Sequence, residues 1–393
     1  MQQREDFLDL PPQPQPPAAQ NNAPPEVLVD LLALADVRIN GNRPWDIRIR
    51  DPHVYSRVFS SWSLEFGESY MDGEWECDQL DELFTKLMSA HLEDAAVGLS
   101  KLRLMAEGLR HKLFNLQSKG RAFEVGERHY DAGNDVFEAM LDSRMIYSCG
   151  YWATADSLEQ AQIDKLDLIC RKLQLKEGET LLDIGCGWGG LAKFAAERYG
   201  VHVTGVTVSK EQLALAQQRV QGLPVQLLLQ DYRDLQGTFD KIVSVGMFEH
   251  VGPKNYITYF DTVKRLLKPE GMFLLHSIGL ATTSTATDPW IDKYVFPNGK
   301  LPSPEQIAQP IEGRFIIEDW HNFGQDYDRT LMAWWQKFDA AWPELGKRYD
   351  ERFYRMWKYY LLCCAGFFRS REGQLWQLVL THPTRRDTYR SVR

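Results

Sequence analysis

Hydrophobic and polar positions follow two different periods along residues 122–393. Short apolar runs that end in glycine or polar residues predict strands, and apolar residues spaced three or four apart predict helices. The predicted strands lie near residues 180–184, 202–206, 225–229, 241–245 and 272–278, and the predicted helices near 189–199, 209–221 and 254–267. Strands that alternate with helices are typical of a doubly wound parallel sheet. We therefore predict an α/β fold for residues 122–393.

The preceding residues predict a smaller α/β domain over residues 26–100. Residues 26–36 and 78–92 have the apolar spacing of amphipathic helices, and residues 46–50 alternate as a strand does. Residues 1–25 are rich in proline, glutamine and alanine, a composition that favours disorder.

A basic stretch at residues 101–121 separates the two predicted domains. Its pattern is helical, and it contains six lysines and arginines but only one acidic residue, Glu107. Two interpretations stand side by side. The stretch is either a solvated linker helix or a basic amphipathic surface that rests on anionic lipid.

Composition narrows the range of functions. The chain of 393 residues carries a net charge of −9, which argues against nucleic acid as a partner. Its six cysteines show no C-x-x-C spacing and predict reduced thiols in a cytoplasmic protein. Because no apolar run approaches the roughly 20 residues of a membrane span, we expect any membrane contact to be peripheral.

The first predicted strand runs into a glycine-rich loop. Asp183 stands directly before Gly185 and Gly187, and Gly190 completes a G-x-G-x-x-G spacing. That spacing also occurs in dinucleotide sites. However, Asp183 would repel a pyrophosphate, and the next strand ends without an acid for a ribose. An acid in this position would instead attract a sulfonium or an α-amino group. The loop resembles the S-adenosylmethionine (SAM) loop of Rossmann-like methyltransferases.

Polar residues follow the next two strands, where a doubly wound sheet binds its ligands. After the second strand, Ser209 is a candidate helix N-cap with Gln212 completing a capping box, while Thr207 and Gln212 are candidates to contact a ribose. After the third strand, an amide, an acid and an aromatic ring fit the edge and face of an adenine: Gln230, Asp231 and Tyr232.

Two ionisable residues follow the fourth and fifth strands. Glu249 lies among apolar residues, a costly place for an unpartnered carboxylate, and His276 ends an apolar run. Each residue alone could be structural, as a loop cap and a packed histidine. Because adjacent strand ends point into the same crevice, together they predict a reactive site.

Residues 290–342 are dense in aromatic side chains. Such density fits the walls of an apolar tunnel, and aromatic faces can stabilise a carbocation. The residues concerned are Trp290, Tyr294, Phe296, Trp320, Phe323, Tyr327, Trp334, Trp335 and Trp342.

Taken together, the motifs resemble the cyclopropane-fatty-acyl-phospholipid synthase family over about residues 26–393. The matching blocks are Tyr147-Ser148-Cys149, residues 183–190, residues 230–234, residues 246–252, Pro297-Asn298-Gly299, residues 319–324 with Tyr327, and residues 68–73 of the N-terminal domain. The proline-rich head is the part that departs from the family pattern.

The resemblance implies a reaction and its residues. In this family SAM methylates a cis double bond of a phospholipid acyl chain, and loss of a proton from the resulting carbocation closes a cyclopropane ring. The resemblance implies bound bicarbonate as the base and SAM as the co-substrate. It implies that bicarbonate is held by Cys149, Glu249, His276, Tyr327 and the backbone of Ile278. It also implies that SAM is held by Tyr147, Ser148, Asp183, Gly185, Gly187, Thr207, Ser209, Gln212, Gln230, Asp231 and Tyr232.

Alternatives and partners complete the expectations. The chain could instead be a SAM-dependent lipid C-methyltransferase that makes a methyl-branched chain, or a lipid-binding protein whose chemistry is lost. The expected partners are an anionic phospholipid surface on the inner face of the cell membrane and an unsaturated phospholipid, with a homodimer left open. We expect no metal site and no nucleic acid.

Overall fold

The computed structural model describes residues 23–92, 133–284 and 286–393. The predictions for residues 1–22 of the proline-rich head and for the basic stretch 101–121 lie outside the described residues. Within the described ranges, no helix is both long enough and apolar enough to cross a bilayer.

The N-terminal residues form four helices around a two-stranded antiparallel sheet. The predicted helices over 26–36 and 78–92 and the strand over 46–50 are confirmed, with shorter bounds. The elements are α1 (Glu26–Leu34), β1 (Arg48–Ile49), α2 (His53–Ser60), α3 (Trp62–Met71), β2 (Trp75–Glu76) and α4 (Leu80–Ser89).

The next part of the chain alternates helices and strands as predicted. The elements are α5 (Asn134–Met140), α6 (Leu158–Lys172), β3 (Thr180–Ile184), α7 (Gly190–Tyr199), β4 (His202–Thr207), α8 (Lys210–Arg219), β5 (Val225–Leu229), β6 (Phe239–Val245), α9 (Tyr256–Leu266) and β7 (Leu267–Leu280). All five predicted strands and all three predicted helices of this region are confirmed, with end shifts of a few residues. The predicted α/β fold is confirmed with them.

The last part of the chain adds helices and two strands that the sequence pattern did not reveal. The elements are α10 (Pro289–Tyr294), α11 (Pro304–Ile311), β8 (Ile316–Asn322), α12 (Gln325–Leu345), α13 (Glu351–Arg369) and β9 (Gly373–Thr381). Strand β9 pairs antiparallel with β7 and with β8. The sheet order within the described residues is therefore β5-β4-β3-β6-β7-β9-β8, with five parallel strands followed by the added pair.

Alternating residues of the strands pack into two hydrophobic cores, one on each face of the sheet. Leu182 and its same-face neighbours pack with α9 and α11, whereas Leu181 and its neighbours pack with α6 and α7. Both faces are buried because side chains of a strand alternate between the faces and helices cover each of them. This arrangement brings the ends of β3, β4, β6 and β7 to one rim of the sheet.

The described N-terminal residues share a hydrophobic core with later helices. Leu28, Trp75 and Leu83 belong to the same hydrophobic cluster as Trp334 of α12 and Trp357 of α13. The predicted boundary near residue 100 lies outside the described residues, and the described residues on either side of it contribute to one hydrophobic cluster.

Candidate active site

A cavity of about 520 Å³ opens at the carboxyl ends of β3, β4, β6 and β7. Its walls contain every residue of the predicted SAM and bicarbonate sets except Cys149. The sheet topology explains this convergence, since the loops after parallel strands meet at one edge. Sequence positions more than a hundred residues apart thus contribute to one site.

The glycine loop has the backbone geometry that only glycine adopts readily. Gly185 and Gly187 have positive φ angles of 84° and 52°. A Cβ at Gly185 would lie 2.9 Å from the side chain of Met247, whereas a Cβ at Gly187 would meet no heavy atom within 4 Å. Because Gly187 lines the cavity, the open space beside it is room for a ligand.

Asp183 is the penultimate residue of β3, and its buried carboxyl group lies at the cavity wall. Burial raises its pKa to about 7, and the charge of Lys165 opposes that rise. Its Oδ2 is buried and has no hydrogen-bond partner among the described residues. A buried acceptor without a partner is rare in native proteins, and it fits a cationic ligand group.

The loop after β4 confirms the predicted N-cap and corrects the capping box. Ser209 accepts a hydrogen bond from the Gln212 backbone N–H at 3.3 Å. The Ser209 N–H, however, donates to Thr207 Oγ1, and Thr207 Oγ1 donates to the Gln212 amide oxygen at 3.2 Å. The reciprocal half of the box is therefore wrong, because Thr207 takes the place that Gln212 was expected to fill.

Two of the three predicted adenine-binding residues after β5 already make contacts within the protein. Both carboxylate oxygens of Asp231 accept hydrogen bonds from the Arg233 guanidinium, at 2.8 and 2.6 Å. Tyr232 packs edge-on against Tyr259 with ring centroids 5.5 Å apart. Gln230 and Tyr232 still line the cavity, so an amide and an aromatic face remain available there.

Glu249 lies in a single 3₁₀ turn after β6. Its Oε1 accepts a hydrogen bond of 2.7 Å from the Ile278 backbone N–H, while its buried Oε2 has no partner among the described residues. Burial raises the pKa of Glu249 to about 7. The backbone of Ile278 thus orients one oxygen and leaves the other for a ligand.

His276 is oriented by a residue on the neighbouring strand. Gln377 lies directly opposite it in the β7–β9 register, and the Gln377 amide nitrogen is 3.2 Å from His276 Nδ1. Burial holds the pKa of His276 well below its usual value, so the ring is neutral. If Nδ1 accepts from Gln377, the ring proton is on Nε2. That atom is buried without a partner among the described residues.

Two of the three tyrosines in the predicted sets, Tyr147 and Tyr327, lie in an aromatic wall. The Tyr327 ring stacks on Phe368 with centroids 4.5 Å apart, and burial raises the pKa of its hydroxyl well above the usual value. The Tyr147 hydroxyl is 2.7 Å from the hydroxyl of Tyr360. The Tyr327 phenol is therefore protonated at neutral pH and able to donate.

Cys149 is the one residue of the predicted SAM and bicarbonate sets that does not line the cavity. Its side chain is fully buried, and the thiol donates to the Gly150 carbonyl oxygen at 3.1 Å. Burial raises the pKa of this thiol well above the usual value. In this conformation Cys149 is a packed, neutral thiol beside the site.

Most of the aromatic residues predicted to line a tunnel lie elsewhere. Of that set, Phe296 and Tyr327 line the cavity, while Trp290 and Trp334 are fully buried in the hydrophobic cluster shared with the N-terminal residues. They pack helix against helix because α10 and α12 face other helices. The apolar wall is formed instead by residues that were not predicted to line a tunnel: Met247, Val251, Ile291, Tyr360, Phe367, Phe368 and Leu375.

Sequence reasoning also missed two polar residues, Lys165 and Gln377. Lys165 is almost fully buried on α6, lines the cavity and donates to Ser148 Oγ at 2.8 Å. A lysine in the apolar stripe of an amphipathic helix was a readable signal. Gln377 offered no such signal, since its role depends on strand pairing.

The chain is similar to known proteins over most of its length. Residues 117–378 match the family described as mycolic acid cyclopropane synthetase. The cyclopropane-fatty-acyl-phospholipid synthase of Escherichia coli K12 is 59% identical over 352 residues, which cover 90% of this chain and 92% of that protein. The tuberculostearic acid methyltransferase UfaA1 of Mycobacterium tuberculosis is 36% identical over 81% of this chain and 78% of its own length.

Solved structures have the same fold. The cyclopropane synthase MmaA2 from Mycobacterium tuberculosis has a TM-score of 0.62 at 32% identity, covering 66% of this chain and 97% of that one. The mycolic acid cyclopropane synthase CmaA1, complexed with SAH and CTAB, gives the same values. The chain is a SAM-dependent methyltransferase, and it belongs to the mycolic acid cyclopropane synthetase family.

Proposed function

We propose that this protein transfers a methylene group from SAM to the cis double bond of an unsaturated acyl chain in a membrane phospholipid. The E. coli relative, 59% identical, carries the name of that activity. The observation that carries the proposal is a pair of buried atoms, Glu249 Oε2 and His276 Nε2, that have no hydrogen-bond partner in the described part of the chain. They lie in the same cavity as the glycine loop. A site of that kind holds a small polar species beside SAM and an apolar chain.

The SAM end of the cavity is proposed to use the residues after β3, β4 and β5. Gly187 leaves room for close approach of the ligand, and Asp183 offers a carboxylate to its positive groups. Gln230 and Tyr232 fit the edge and face of the adenine, while Thr207 and Gln212 fit the ribose. Asp231, already bonded to Arg233, holds that loop in place.

The reaction requires a base in an apolar pocket. The alkene carbon attacks the SAM methyl group, the carbon–sulfur bond breaks, and a carbocation forms on the acyl chain. Loss of a proton from the added methyl group then closes the ring. An alkene is a weak nucleophile, so the chain must hold both reactants in near-attack geometry and exclude water.

The residues at the β6 and β7 ends fit a bound bicarbonate, which would supply the proton acceptor. Glu249 Oε2 would accept its hydroxyl proton, and His276 Nε2–H and the Tyr327 hydroxyl would donate to its oxygens. The Ile278 N–H already bonds Glu249 and therefore positions that carboxylate. Cys149 would support this wall from behind rather than contact the ion.

The proposal also assigns roles in lipid binding to residues that precede the catalytic part. We assign the N-terminal residues 26–100 to lipid positioning and the basic stretch 101–121 to contact with anionic lipid on the cytoplasmic face of the membrane. The cavity supports this assignment, because Met88 at the end of α4 lines it together with residues of the catalytic part.

Lipid mass spectrometry tests the proposal. The purified protein is incubated with SAM and vesicles of a cis-unsaturated phospholipid, in buffer stripped of carbonate and in the same buffer with bicarbonate restored. We expect the acyl chain to gain one CH₂ and lose its olefin, with turnover that falls in stripped buffer and returns with bicarbonate.

Two other results would overturn parts of the proposal. A methyl-branched product that retains an unsaturation would favour the lipid C-methyltransferase alternative, an activity class named in the relative from M. tuberculosis. Full turnover without carbonate would make a protein side chain the base, with Glu249 first and His276 second.

A further inference from the structure

A row of polar side chains crosses three neighbouring strands on the sheet face that α6 covers. In the strand register His276 of β7 lies opposite Gln377 of β9, and Gln377 lies opposite His321 of β8. Side chains at paired positions project from the same face of a sheet. Lys172 of α6 packs on that face, and its Nζ is 3.1 Å from His321 Nδ1. The row therefore runs from a lysine outside the cavity to the histidine in its wall.

The lysine end of the row has a defined polarity. Lys172 is fully buried and pairs with Asp319 at 3.3 Å, and Arg393 donates to both Asp319 carboxylate oxygens at 2.6 and 2.8 Å. Burial lowers the pKa of Lys172 to about 8 and that of His321 to about 4, so at pH 7 the amine is charged and the ring is neutral. An ammonium group only donates, so His321 Nδ1 accepts and the ring proton is on Nε2.

The middle of the row carries this polarity to His276. Gln377 is fully buried, and its amide nitrogen lies 3.2 Å from His276 Nδ1. The N–H of His321 on the neighbouring strand favours this orientation of the amide, with the oxygen on the His321 side. The Gln377 amide then donates to His276 Nδ1, and the His276 proton is on Nε2. That nitrogen is buried and has no partner among the described residues.

The charges near the row also keep His276 neutral. Burial and the charges of Lys165 and Lys172 hold the pKa of His276 well below its usual value. A protonated imidazole beside the proposed bicarbonate would transfer its proton to the ion and remove the base. A neutral imidazole with its proton on Nε2 instead donates a hydrogen bond and leaves the ion basic.

We propose that Gln377, His321 and Lys172 are positioning residues that hold His276 as a neutral Nε2–H donor for the anion site. Lys172 fixes the proton of His321, the His321 N–H fixes the Gln377 amide, and the amide fixes the proton of His276. None of the three lines the cavity, so they act on the reaction through His276. This inference rests on the proposed bicarbonate site and adds the residues that set the polarity of its histidine.

Nitrogen-15 NMR of the histidine-labelled full chain, without ligand and in carbonate-free buffer at about pH 7, reads the tautomers directly. The chain has nine histidines, so His276→Gln and His321→Gln assign the two sets of signals. We expect both rings to be neutral with the proton on Nε2. An Nδ1–H tautomer or an imidazolium at His276 would overturn the inference, and the same result at His321 would overturn the part given to Lys172. This measurement does not depend on whether a Gln377 variant folds.

Gln377→Leu removes the donor at similar size. His276 should then populate both neutral tautomers. The bicarbonate concentration for half-maximal turnover should rise about 3- to 10-fold, the range for one lost hydrogen bond, with a smaller change in maximal turnover. Gln374→Leu is the matched control, because Gln374 lies on the same strand but bonds Trp376 and Asn322. It should leave the tautomer of His276 and the bicarbonate requirement unchanged.

The outcomes separate this inference from the proposed function. An unchanged His276 tautomer in Gln377→Leu, or an equal fall in turnover at every bicarbonate concentration, would show that Gln377 supports the fold only. Native turnover that does not depend on bicarbonate would overturn the proposed base. Because the tautomers are measured without the reaction, the two failures are distinguishable.

Discussion

Three side chains at the cavity combine burial with an atom that lacks a partner among the described residues. They are Asp183, Glu249 and His276. Each has a pKa shifted by burial in the direction of its neutral form. Such groups reduce the stability of the ligand-free fold, and they persist where a ligand is to be bound or a proton moved. At the residue scale, the site therefore consists of a few ionisable side chains buried in a mostly apolar cavity.

Glu249→Gln should stabilise the ligand-free protein while removing activity. The folded-state pKa of Glu249 is about 7, raised from 4.5 by burial, so folding disfavours the charged form. Glu249 therefore does not destabilise the folded protein below about pH 4. Its destabilising effect grows as the pH rises and reaches its full size above about pH 7. We expect the variant to gain about 3 kcal/mol over the native protein at pH 8 and little at pH 4.

Urea unfolding at both pH values measures this difference, and the lipid assay measures activity. The glutamine keeps the bond from the Ile278 N–H, so the fold around β7 is preserved. Asp183→Asn should show the same sign, because burial raises that pKa as well. A gain in stability that does not depend on pH would show that burial of the charge is not its cause.

At the scale of elements, the strand–loop–helix unit from β3 to α7 forms the central part of the ligand wall. Its glycines serve two distinct purposes. Gly185 is needed because Met247 leaves no room for a side chain, and Gly187 is needed because the cavity lies beside it. The paired strands β7 and β9 add a second element-level effect, since their register aligns Gln377 with His276.

Gly187→Val should abolish SAM binding and leave the fold in place. The new side chain would enter the cavity, and a β-branched residue is strained at a φ of 52°. We expect a loss of more than about 100-fold in affinity by calorimetry, with a stability cost on the order of 1–3 kcal/mol.

Gly178→Val is the control for that strain. Gly178 also has a positive φ, 81°, with no heavy atom near its Cβ position, but it does not line the cavity. It should lose stability by a similar amount and still bind SAM. Retained SAM binding in Gly187→Val would show that the loop is not the ligand wall.

At the scale of the whole molecule, the N-terminal residues and the last two long helices share one hydrophobic cluster. Ion pairs reinforce this packing, as Arg355 of α13 bonds the Tyr70 carbonyl oxygen and Glu76. The lipid-positioning part proposed here therefore sits on the same core as the catalytic helices.

Reversing Arg110 and Lys112 to glutamate should weaken binding to anionic vesicles and spare SAM binding. Each basic residue near an anionic surface contributes about 1 kcal/mol, and the attraction is screened over roughly 8 Å at physiological salt. Sedimentation with anionic and neutral vesicles, at low and high salt, measures the effect.

Lys347→Glu with Arg348→Glu makes the same change in net charge at an exposed pair on the catalytic part. This control should bind anionic vesicles as the native protein does. Unchanged sedimentation of the Arg110 and Lys112 variant would identify the basic stretch as a linker only.

The sequence by itself determined the parallel sheet, its glycine loop and the residues at its strand ends. These features are local, because consecutive residues specify a strand, its turn and the following helix. The carboxyl ends of parallel strands then lie together at one edge of the sheet. Tertiary structure alone decided the rest. The pair β8 and β9, the Gln377–His276 contact across 101 residues, and the packing of Trp290 and Trp334 away from the cavity depend on elements distant in sequence. Neighbouring residues in the sequence do not predict such contacts, because each contact depends on which distant helix or strand packs against the side chain.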